Sequence, residues 1–102
     1  MDKITATELK ELMASRELYA VIDVRDFGEF YLAHIPWANS VPRGRLEFRI
    51  GILLPQKNVK VVVYLYNAQL DEAARTLESL GYSKVTLLKG GFDSWKEAGF
   101  ET

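Results

Sequence analysis

The chain has 102 residues, 48% hydrophobic and 26% charged, with 13 basic against 14 acidic side chains and a formal net charge of −1. That is the size and composition of one globular domain, and so even a balance gives no global electrostatic reason to expect nucleic acid or an anionic membrane as partner. The absence of cysteine removes disulfides, thiolate metal ligands and thiol nucleophiles together, and a single histidine, His34, leaves no His-rich metal site.

No apolar run approaches the roughly 20 residues needed to span a bilayer. Met1-Asp2-Lys3-Ile4 lacks the basic-then-apolar pattern of a signal peptide, so the expected location is the cytoplasm. Neither a metal nor a cofactor is expected.

Thr5-Ala6-Thr7-Glu8 reads as a capping box opening a helix whose apolar face carries Leu9, Leu12 and Met13. Tyr19 to Val24 is a short strand-forming run that stops at charge. Phe27, Phe30 and Tyr31 follow at helical spacing, predicting a short helix from Phe27 to Leu32, broken by Ile35-Pro36. Asn39 to Val41 is a brief strand ended by Pro42, and within Arg43 to Leu54 the spacing of Leu46, Arg49 and Ile50 predicts a helical turn or two. Val59 to Leu65, nearly all β-branched or aromatic, suits a central strand buried on both faces. Leu70, Ala73, Ala74, Leu77 and Leu80 trace a helical stripe stopped by Gly81. Lys84 to Leu88 reads as a strand, Gly90-Gly91 as a turn, and Phe92 to Ala98 as a last helix ended by Gly99. Strands alternating with helices through short connections predict a single α/β domain, a parallel sheet with helices on both faces.

In such a sheet, ligands sit beyond the carboxyl ends of the strands, against helix N-termini. The loop Leu65-Tyr66-Asn67-Ala68-Gln69-Leu70 is therefore the candidate site. It offers no glycine for close backbone approach and no basic side chain to grip an anion. Asp71 and Glu72 follow in the first helical turn, where they suit the helix dipole but repel an oxyanion.

Asp23-Val24-Arg25, Glu29-Phe30 and Ala33-His34-Ile35-Pro36-Trp37-Ala38 resemble the first signature of rhodanese-type domains. Val61-Val62-Val63-Tyr64 resembles the strand that delivers that family's catalytic cysteine. Gly81-Tyr82, Gly90-Gly91-Phe92 and Trp95-Lys96-Glu97-Ala98-Gly99 resemble its C-terminal signature. The resemblance runs from about Ile4 to Phe100, nearly the whole chain, and makes residues 1–102 one rhodanese-like domain. It implies a three-layer fold with a parallel, typically five-stranded sheet. In active members a cysteine at the end of the central strand carries sulfane sulfur as a persulfide, cradled by loop amides with glycine and arginine. Here the cysteine position is Leu65, the glycine falls near Ala68, and the arginine near Gln69 or Leu70. Leucine has neither a nucleophilic atom nor an ionisable group, which closes the covalent route. The dual-specificity phosphatase alternative needs the same missing cysteine.

Asp23 and Arg25, in the family signature near the site, read as a structural ion pair or hydrogen-bonded strand end ahead of any substrate role. His34 matches a histidine that the family uses mainly to hold its loop, and Trp95 reads as core. Trp37, where the family prefers glycine, and Tyr66 are either exposed interface anchors or lids packed over the loop that fill the emptied pocket. Arg43, Arg45 and Arg49, interrupted by Glu47, form a basic cluster that reads as a solvated face, with a phosphate or acidic-partner site as the alternative. Pro42-Arg43-Gly44 followed by Leu46-Glu47-Phe48 resembles segments of proteins that string several rhodanese domains together. The leading expectation is a non-catalytic interaction or structural module with a protein partner or neighbouring domain. The alternatives are a domain that assists sulfur handling beside an active neighbour, and a small-molecule or anion site in the old pocket.

Overall fold

The capping box forms in the computed structural model, which describes residues 2–66 and 71–102. The Glu8 N–H donates to the Thr5 hydroxyl at 3.1 Å, and the Thr5 N–H donates to the Glu8 carboxylate at 2.9 Å. Those bonds hold the Glu8 pKa below its ordinary value. They open α1 (Ala6–Ala14), which follows β1 (Asp2–Ile4). The remaining elements are β2 (Tyr19–Asp23), α2 (Phe27–Leu32), β3 (Asn39–Ser40), a 3-10 turn (Arg43–Arg45), α3 (Leu46–Leu53), β4 (Lys60–Tyr64), α4 (Asp71–Ser79), β5 (Lys84–Leu88) and α5 (Gly91–Glu97).

The five strands form one sheet in the order β1-β5-β4-β2-β3, with every pairing parallel. The expected three-layer α/β domain is therefore present. The central strand, β4, shows why its sequence is apolar throughout. Val61 and Val63 point into one core with Leu46 and Ile50 of α3 and Ala73, Ala74 and Leu77 of α4. Val62 and Tyr64 point into the other, with Leu9 and Leu12 of α1 and Phe92 and Trp95 of α5. Successive strand residues face opposite sides, so a strand covered on both faces needs an apolar residue at every position. Among the described residues, no helix is long and apolar enough to cross a membrane.

Two elements go beyond the sequence expectation. β1 pairs with β5 through Asp2–Thr86, Lys3–Leu87 and Ile4–Leu88, although its three residues carry no strand periodicity. The segment after Pro42 is a 3-10 turn running directly into a full α3, whose open C-terminal carbonyls are closed by Tyr82. The Tyr82 hydroxyl donates to the Leu54 carbonyl and, at 3.3 Å, to that of Ile50.

Gly90 and Gly91 take left-handed φ values of 76° and 62°. A Cβ on Gly91 would sit 2.6 Å from the Tyr66 carbonyl oxygen and 2.8 Å from that of Leu65. Those same carbonyls accept hydrogen bonds from Asp93 N–H at 2.9 Å and Phe92 N–H at 2.8 Å. Close approach thus ties the end of β4 to the start of α5. Gly91→Ala is expected to lower stability by about 2 kcal/mol or more, read as a lower denaturant midpoint, because it adds a backbone clash to left-handed strain. An unchanged midpoint would mean that this approach is not required.

Candidate functional site

β2 and β4 run side by side, with Asp23 opposite Tyr64 at their carboxyl ends. Both side chains project to the α1/α5 face, where Asp23 is fully buried. Its carboxylate accepts the Arg25 backbone N–H at 2.9 Å, the Arg25 Nε–H at 3.1 Å and the Arg25 Nη2–H at 2.8 Å. The Tyr64 hydroxyl donates to the same carboxylate at 2.5 Å. Arg25 is also buried, and its Nη2 donates to the Ala33 carbonyl, just past α2, at 2.6 Å. The Ile35 N–H in turn donates to the Tyr64 hydroxyl at 3.3 Å. The guanidinium lies 4.1 Å from the Phe92 ring centroid, with the Tyr64 and Tyr66 rings at 5.7 and 5.9 Å.

A buried carboxylate–guanidinium pair is tolerable only when it is well hydrogen-bonded; here both carboxylate oxygens are met, and Nε and Nη2 of Arg25 are bonded. Burial pulls the Arg25 pKa down, but the hydrogen bond to Asp23 and its charge outweigh that and leave it above its ordinary value. Burial, then the charge of Asp23 and the hydrogen bond to it, push the Tyr64 pKa well up. Tyr64 is therefore a neutral donor, and it offers no phenolate to a substrate.

Leu65 follows the end of this strand and faces the opposite side, buried among Val24, Val63, Ala73 and Leu87. The void beside it is about 10 Å³, at the lower limit for a single water. Tyr66 is 37% exposed at the mouth. The other candidate loop residues, Asn67, Ala68, Gln69 and Leu70, lie outside the described residues.

His34 is half-buried, stacked on Phe30 with centroids 3.8 Å apart, and its Nδ1 meets the Phe30 carbonyl at 2.8 Å. A carbonyl only accepts, so Nδ1 carries the proton and the ring locks the exit of α2. Trp95 is fully buried, and its Nε1 donates to the Glu101 carbonyl.

The interface candidates do not form one surface. Trp37 is 82% exposed and lines a cleft with Tyr19, the first residue of β2, and with Met13 and Ala14 at the end of α1. Tyr66 lies beyond the end of β4, at the opposite edge of the parallel sheet. Trp37 also holds φ at 69°, which costs a non-glycine residue about 1 kcal/mol and gives a physical reason for glycine at that position. Arg43, Arg45 and Arg49 are exposed, and the Arg43 N–H donates to the Val24 carbonyl at 3.2 Å, which places the cluster at the carboxyl edge with Tyr66. The sequence reading missed Tyr64 as the third member of the Asp23–Arg25 network, because its partner stands 41 residues away.

A family model described as a rhodanese-like domain matches residues 5–98. The probable adenylyltransferase/sulfurtransferase MoeZ of Mycobacterium tuberculosis is 31% identical over 93 residues, covering 90% of this chain and 24% of MoeZ. The thiosulfate sulfurtransferase GlpE of Tolumonas auensis is 30% identical over 100 residues, covering 94% of this chain and 92% of GlpE. The crystal structure of a thiosulfate sulfurtransferase from Pseudomonas aeruginosa superposes with a TM-score of 0.89 at 34% identity, covering 97% of this chain and 19% of that one. This chain thus spans about a quarter of MoeZ and a fifth of the Pseudomonas protein.

The raised Tyr64 pKa sets a direction with pH. The folded chain keeps a proton that the unfolded chain loses above tyrosine's ordinary value of 10.0, so this stabilisation is complete below that pH and is lost as pH rises past it. The denaturant midpoint is expected to fall on that rise, and less steeply in Tyr64→Phe, where the Tyr82 pKa, raised by burial, still contributes. Equal slopes in the two proteins would contradict the network.

Proposed function

The chain belongs to the rhodanese-like domain family, and from that premise we propose that it is a member that does not transfer sulfur and serves as an interaction or structural module. It acts alone or as one unit of a larger sulfurtransferase. The observation that carries this reading is Leu65. It stands where β4 would deliver a reactive thiol, and the chain has no cysteine to replace it elsewhere. Its branched hydrocarbon side chain fills the core under the strand end, leaving a void too small for a sulfur atom.

What survives around that position supports a scaffold role. Asp23, Arg25 and Tyr64 spend their hydrogen bonds on one another and on the backbone around α2. Those bonds hold the three side chains as parts of the frame. A domain with no reactive group and an intact frame works through its surface, and a protein partner or neighbouring domain is the occupant this reading calls for.

A second reading draws on the relatives: MoeZ, a probable adenylyltransferase/sulfurtransferase, carries the matching region within a longer chain. In that reading this domain assists sulfur handling beside an active neighbour, and adding it would raise the neighbour's turnover.

A thiosulfate-to-cyanide assay separates these from catalysis by the chain itself. The purified chain is expected to match buffer, and Leu65→Cys alone is expected to restore little, since the added thiol lacks an arginine-bearing loop. Reproducible turnover by the unaltered chain would overturn the module reading.

A further inference from the structure

α3 is apolar on both sides. Leu46 and Ile50 face the core, whereas Phe48 is 78% and Ile52 83% exposed. Phe48 and Ile52 are four residues apart and form one ridge along the outer face. Arg45 and Arg49, also four apart, form a second ridge beside it. Between this pair and Phe27 of α2, itself 59% exposed, lies an open cleft of about 270 Å³ floored by Ser40 and Pro42. Among the described residues, none of Arg43, Arg45 and Arg49 has an ion-pair partner. Glu47 falls on the other flank of the helix by its spacing. α2 repeats the pattern: none of its six residues is buried.

Gly51 adds an independent sign. It sits mid-helix, where glycine disfavours the helix, with no positive φ and nothing within 4 Å of where a Cβ would stand. The chain's own fold gives no reason for it. A bare backbone beside Phe48 and Ile52 leaves room for another chain to approach closely.

We propose that the α2–α3 face docks an acidic peptide segment of another polypeptide, its apolar residues covering Phe48 and Ile52 and its carboxylates pairing with Arg45 and Arg49. This rests on the module reading and names its surface and the chemistry of its partner. The assignment follows from charge complementarity. Arginines with no ion-pair partner among the described residues, beside an apolar ridge, suit carboxylates interleaved with leucine or phenylalanine, whereas a nucleic-acid backbone would leave Ile52 uncovered.

The test uses a fluorescent synthetic peptide with Leu and Phe at helical i, i+3, i+4 spacing and Glu and Asp between them. Its controls carry Lys for every acid, or Ser for every apolar residue. The acidic apolar peptide is expected to bind, more weakly as salt rises, and both controls to fail. Arg45→Ala/Arg49→Ala and Phe48→Ser/Ile52→Ser should each weaken binding by about tenfold or more. Gly51→Ala should raise the melting temperature of the free chain while weakening the peptide, which a purely structural effect would not do. Absence of peptide binding would overturn the proposal, as would binding indifferent to these variants. Preferential binding of a single-stranded oligonucleotide, or dimerisation of the free chain abolished by Phe48→Ser/Ile52→Ser, would also overturn it by naming a different occupant. Each of these leaves the sulfur-transfer result untouched, so failure here is distinct from failure of the module reading.

Discussion

A carboxylate buried without solvent has to be met by donors, and Asp23 is met by two groups of Arg25 and by the hydroxyl of Tyr64. Removing any one would strand charge or polar atoms in a low-dielectric interior, at a cost of several kcal/mol. That constraint fixes more than one contact. It sets the pairing of β2 with β4 at their carboxyl ends. Through Ala33 and Ile35 it also fixes the path by which the chain leaves α2. The rings of Phe92, Tyr64 and Tyr66 then gather round the guanidinium, bringing α5 to the same end of the sheet.

This frame is independent of the reactive atom. Leu65 belongs to the opposite core, with Val63 and Leu87, so a thiol can be replaced there without disturbing the charged network on the other face. The two faces of one strand thus separate the charged network from position 65.

Much of this was legible in the residues. Helices capped by Thr5 or stopped by Gly81 and Gly99 announce their ends through local chemistry, and β4 announces its double burial through an unbroken apolar run. β1 was not legible, because Asp2-Lys3-Ile4 becomes a strand only through pairing with β5. The Asp23–Arg25 pair lies two residues apart and was within reach of a local reading, but the Tyr64 hydroxyl joins it across the sheet, and no spacing rule encodes that. Trp37 and Tyr66 looked alike as exposed aromatics near loops. Only the topology shows that one stands at the amino end of the strands and the other at the carboxyl end. The outer ridge of α3 also has a signal in the sequence: residues 46–54 place apolar side chains on two opposite sides of the helix, which a helix with one buried side does not require.

The chain contains no cysteine, and the module reading requires that no other group accept sulfur. Intact-mass spectrometry of the purified protein after incubation with thiosulfate, and separately with a polysulfide donor, tests it directly. The unmodified mass is predicted in both cases, with an added sulfur only in Leu65→Cys under the polysulfide. A stable sulfur adduct on the unaltered chain would contradict the account.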